Sequence, residues 1–80
     1  MRVVVFSGKN CAKCVSLKTM LENLEIQFEE KDVMSNLSES RGLGIKSVPT
    51  TIIYDNDVVI GKVLSNNIDE IKTILEEASK

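Results

Sequence analysis

The sequence predicts an α/β fold, a four-stranded mixed sheet with three helices in the order β-α-β-α-β-β-α, and three observations carry it. Short β-branched runs bounded by turn residues alternate with segments whose apolar residues recur at helical spacing. A helical segment separates the first two strand-like runs, so they pair in parallel through a crossover. The last two runs are separated only by Asp55-Asn56-Asp57, which makes them an antiparallel hairpin. With 80 residues, 42% of them apolar, the chain reads as one domain spanning 1–80.

Val3-Val4-Val5-Phe6 is too short for a helix and is ended by Ser7-Gly8; continuous apolarity points to a strand buried on both faces, in the middle of a sheet. From Cys11 to Leu24, Ala12, Val15, Leu17, Met20, Leu21 and Leu24 fall mostly on one helical face, with Lys13, Lys18 and Glu22 among the polar positions. Ile26-Gln27-Phe28-Glu29 alternates and starts a second strand that ends near Asp32-Val33. Asn36-Leu37-Ser38-Glu39 has the spacing of a capping box, opening a short helix that ends by Gly42 or Gly44. Thr50-Thr51-Ile52-Ile53-Tyr54 and Val58-Val59-Ile60 form the hairpin, and the tail from Asn67, with Ile68, Ile71, Ile74, Leu75 and Ala78, closes as a helix on the sheet. No internal repeat or low-complexity segment interrupts this order.

Composition excludes several classes. A net charge of -2 with mixed signs gives no electrostatic footprint for nucleic acid, and the only aromatics are Phe6, Phe28 and Tyr54, too few for base-stacking platforms. The first residues lack the long apolar stretch of a signal peptide, and no run approaches a membrane span. A cytoplasmic location without membrane contact is therefore expected. In that compartment structural disulfides are rare, so two cysteines three positions apart point to redox chemistry or metal.

Those cysteines stand in Cys11-Ala12-Lys13-Cys14, after the loop Ser7-Gly8-Lys9-Asn10 and at the opening of the first helix. The N–H groups of a helix's first turn lack intrahelical partners, and the dipole presents positive charge there. Lys9 and Lys13 add cations, and no acidic residue appears until Glu22. A thiolate at Cys11 is favoured; thiols in such positions titrate at about 3.5–7.5 against about 8.5 when free. Cys11 is thus the expected nucleophile. Cys14, one turn on and deeper, suits the resolving role. The competing readings are inert buried cysteines, a zinc site, which needs four ligands where the chain offers two Cys and no His, and haem attachment, which needs His where residue 15 is Val. Pro49, the single proline, precedes an apolar strand; by itself it fits either an edge-strand start or a cis bond.

Taken with the element order and the CxxC, Gly44-Ile45-Lys46-Ser47-Val48-Pro49-Thr50 resembles the thioredoxin superfamily, in particular its small glutaredoxin-like members. The resemblance spans essentially the whole chain. It implies a thioredoxin-like fold with strand order 2-1-3-4, a cis Val48–Pro49 bond beside the CxxC, attack by Cys11 and resolution by Cys14, and a Val48 backbone that pairs with an incoming disulfide-bearing peptide. Lys9, Lys13, Val48 and Pro49 are the substrate-binding candidates. The implied activity is thiol–disulfide exchange, in a monomer that needs no metal or organic cofactor. Its implied partners are disulfide-bearing proteins, with ribonucleotide reductase among the acceptors, and glutathione or a thioredoxin reductase as electron source. Asn10 stands where thioredoxins carry Trp, Val5 where their first strand carries a buried Asp, and Ala12-Lys13 where glutaredoxins commonly carry Pro-Tyr.

A rival from another class is a metallochaperone of the heavy-metal-associated type, which also places Gly and CxxC after its first strand. Lys9 takes the place of its methionine, however, and the isoleucine-rich final helix departs from its element order. An interaction module that keeps the fold without turnover is the third reading, against which the intact Cys11 and Cys14 argue.

Overall fold

The computed structural model describes residues 1–80. Its elements are β1 (Arg2–Ser7), α1 (Ala12–Asn23), β2 (Glu29–Asp32), α2 (Leu37–Gly42), β3 (Thr50–Asp55), β4 (Val58–Leu64) and α3 (Ile68–Ala78). The four strands form one sheet in the order β2-β1-β3-β4, the order that the resemblance implied. β1 runs parallel to β2 and antiparallel to β3, and β3 is antiparallel to β4.

Successive residues of a strand point to opposite faces, so the continuous run Val3–Phe6 feeds two cores. On one face Val3, Val5, Ile53 and Val63 pack against Leu17 and Leu21 of α1 and Ile71 of α3. On the other, Val4, Phe6 and Ile52 meet Val33, Leu43 and Ile45, which lie before and after α2. Removing each large aliphatic side chain of this set from water contributes about 1.5–3 kcal/mol. No helix is long and apolar enough to cross a membrane.

Three sequence expectations shift. Ile26 does not begin the second strand. It closes α1 instead: its N–H donates to Leu21 O (2.9 Å), and Glu25, at φ 58°, donates to Glu22 O (3.0 Å), the paired bonds of a Schellman ending. β2 therefore starts at Glu29. The capping box at Asn36 does not form. The Asn36 amide turns back and donates to Asp32 O (2.9 Å), while Glu39 accepts from Lys31 Nζ (2.8 Å). β4 runs on through Gly61 to Leu64, because Thr50, Thr51 and Ile52 continue to pair with Leu64, Val63 and Lys62.

The hairpin turns at Asn56-Asp57, both with positive φ (51° and 68°), as a two-residue hairpin turn of matching twist requires. At Gly61 a Cβ would lie 2.8 Å from Ile74 Cδ1, so the missing side chain lets α3 approach β4. β4 is an edge strand on which Val58, Val59, Ile60 and Leu64 are exposed. Its exposed Lys62 reaches to the loop after α2, donating to the carbonyls of Gly44 (2.9 Å) and Leu43 (3.3 Å).

Candidate active site

Strand directions decide which loops meet. β1 ends where β3 begins, with Phe6 opposite Thr50, and β4 ends opposite Thr50 as well. The loop Gly8–Asn10, the start of α1, the segment before Thr50 and the end of β4 therefore gather at one end of the sheet. Asn10 takes a positive φ (54°), a conformation that asparagine tolerates, and so turns the chain into α1.

Cys11 is the N-cap of α1 and Cys14 its third residue. The two are joined in a disulfide with Cα atoms 5.2 Å apart. Cys11 Sγ accepts the Cys14 N–H at 3.1 Å, one of the donors that a helix start leaves without an intrahelical partner. Cys14 is buried (2% exposed), whereas Cys11 is half-buried. The sulfur with access is thus the one at the positive end of the helix. No acidic residue lies in the first turn of α1.

Val48–Pro49 is cis. Pro49 is buried, and its carbonyl accepts the Ser65 N–H at 2.9 Å. The Val48 side chain lies over the loop that leads to Cys11: a Cβ on Gly8 would sit 3.2 Å from Val48 Cγ2. Neither the N–H nor the C=O of Val48 enters a backbone hydrogen bond within the chain. Lys9 and Lys13 are exposed. The structure thus brings Val48 to the cysteine loop and leaves both lysines in solvent beside it.

Sequence reasoning missed a second group at the site. A cavity of about 380 Å³ beside the disulfide is lined by Cys11 and Cys14 and also by Ser7, Lys18 and Glu30. Glu30 accepts from Lys18 Nζ at 2.7 Å and from Ser7 Oγ at 2.9 Å. The Lys18 hydrogen bond, then that of Ser7, holds the Glu30 carboxyl below its usual range. Lys18 is legible as the residue one turn after Cys14, but Glu30 comes from β2 and needs the register that sets Val5 opposite it.

Comparison with known proteins agrees with this geometry. The family model described as "Thioredoxin domain" matches residues 1–76. The SPbeta prophage-derived thioredoxin-like protein YosR of Bacillus subtilis is 28% identical over 78 residues, covering 96% of this chain and 98% of that protein. Thioredoxin-like protein CXXS1 of Oryza sativa is 29% identical; the match covers 98% of this chain and 62% of the rice protein. Among solved structures, thioredoxin 1 of Thermosipho africanus superposes with a TM-score of 0.79 at 28% identity, covering 98% of this chain and 93% of that one. Spinach chloroplast thioredoxin f superposes with a TM-score of 0.87 at 24% identity, over 98% of this chain and 75% of its own.

Proposed function

Because the chain belongs to the thioredoxin family and carries the family's thiol–disulfide oxidoreductase pair, we propose that it reduces disulfides in two steps, with Cys11 attacking and Cys14 resolving. The Cys11 thiolate displaces one sulfur of the target disulfide, which leaves as a thiolate, and a mixed disulfide forms through Cys11. The Cys14 thiolate then attacks Cys11 Sγ, releases the second target sulfur and closes the Cys11–Cys14 bond. The dithiol is oxidised and the target reduced, so the electrons balance without another group. The observation that carries this assignment is the asymmetry of the pair: Cys11 is the reachable sulfur at a helix N-terminus and Cys14 is buried behind it.

The unpaired Val48 backbone supports a docking role, in which an extended target segment bonds to it as an added strand. Lys9 and Lys13 complete the contact surface, with the buried Pro49 anchoring Val48. The electron source in this reading is a thioredoxin-type reductase rather than glutathione, since the family match is to the thioredoxin domain. The acceptors are disulfides of proteins, of which a ribonucleotide reductase is one. The protein works in the cytoplasm as a monomer.

Trapping tests the roles. Cys14→Ser should accumulate a mixed disulfide through Cys11, and Cys11→Ser should abolish disulfide reduction. In the reduced wild-type protein Cys11 should be alkylated first at mildly acidic pH; equal rates, or faster reaction at Cys14, overturn the assignment. An NADPH-coupled assay with thioredoxin reductase, set against glutathione plus its reductase, decides the donor.

A further inference from the structure

Glu30 and Lys18 are the only charged residues that line the cavity beside the cysteine pair, and they are bound to each other there. Lys18 lies one helical turn beyond Cys14 on α1. Side chains of a helix lean toward its N-terminus, so Lys18 reaches back over the turn that carries Cys14. Glu30 enters from β2, opposite Val5. Ser7, two positions along β1 from Val5 and on the same face, is buried (7% exposed) and fixes the carboxylate with its hydroxyl. A cation and an anion are thereby held in the same cavity that the buried Cys14 lines.

We propose that the Ser7–Glu30–Lys18 network sets the charge balance at Cys14 and thereby governs the second exchange step. The inference rests on the reading of Cys14 as the resolving thiol. In that step Cys14 gives its proton to solvent, its sulfur bonds to Cys11 Sγ, and the target thiolate leaves. Lys18 favours the Cys14 thiolate and Glu30 opposes it, so pairing them holds the thiol between the two extremes. Both act through Cys14 and are positioning residues. The other charged groups near this end do not line the cavity: Lys9 and Lys13 flank it, Asp32 lies opposite Ser7 on β2 and accepts the Met34 N–H, Lys46 lies in the loop before Pro49, and α3, packed on α1, opens with exposed Asp69 and Glu70. β1 and β3 carry their charged residues, Arg2 and Asp55, toward the opposite end of the sheet.

The test uses the reduced protein mixed in stopped flow with one equivalent of dithiobis(nitrobenzoate), across a range of pH. The first coloured thiolate reports attack by Cys11 and the second reports resolution by Cys14. Lys18→Met should slow the second phase about threefold to tenfold at neutral pH and move its pH midpoint up by about half to one unit. Glu30→Gln should accelerate it and move the midpoint down, and the double variant should return toward wild type. Each single variant should move the second phase more than the first. Midpoints displaced in the same direction by both single variants, or by neither, overturn the network's role while leaving the two-step reading standing. Two phases that survive in Cys11→Ser overturn the reading itself, and this inference with it.

Discussion

Glu30 is a residue whose surroundings, more than its type, decide what it does. On an edge strand a glutamate ordinarily faces water, but here the ammonium of Lys18 and the hydroxyl of Ser7 hold it charged. Its folded-state pKa is lowered from the ordinary 4.5, first by Lys18 and then by Ser7. A carboxyl whose pKa falls on folding adds stability above its unfolded pKa, and that stability is lost as pH drops through the folded value. Urea unfolding at a series of pH values should therefore show wild-type stability declining more steeply than that of Glu30→Gln below about pH 4.5. The difference should stay under about 1 kcal/mol, because the side chains remain 29% and 41% exposed. Equal slopes would mean that the pair is already broken in solution. The cysteine pair was legible in the sequence because its spacing is local. Glu30 was not, because its partners lie 12 and 23 positions away.

Among the elements, α3 and β4 meet more closely than side chains would normally permit. Gly61→Ala would place a Cβ 2.8 Å from Ile74 Cδ1 and 3.2 Å from Ile74 Cγ2, so the isoleucine must leave its position or α3 must lift. The expected cost is about 1–3 kcal/mol, read as a lowered urea midpoint. A loss under about 0.5 kcal/mol would show that Ile74 repacks freely. Element order, the central burial of β1, the hairpin and the span of α1 and α3 could all be read from hydrophobic period and turn residues. Boundaries failed where a residue had two possible employments. Ile26 continues an alternating pattern, yet it caps α1 beside Leu21; Asn36 and Glu39 have capping-box spacing, yet Asp32 O and Lys31 claim them. The β run is legible only as Val58-Val59-Ile60, but β4 continues through Gly61, where the glycine makes room for a helix.

At the scale of the whole molecule, the sheet has two rims of opposite character. β2, on one side, is Glu29-Glu30-Lys31-Asp32, charged at every position. β4, on the other, offers Val58, Val59, Ile60 and Leu64 to solvent, and its one cation is already engaged with the carbonyls of Leu43 and Gly44. Edge strands without a free charge are templates for a foreign strand, and a lysine tied to a neighbouring loop guards less well than one that projects freely into water. Solubility of this protein should accordingly be limited by β4-to-β4 association, with light scattering rising at high concentration. Val59→Lys should raise that ceiling without changing the secondary-structure signal, whereas a ceiling unmoved by Val59→Lys would place the sticky surface elsewhere. Acetylating Lys62 should act in the opposite sense: freed from the loop it braces, the strand keeps its apolar rim and loses its last positive charge, leaving the chain more prone to precipitate.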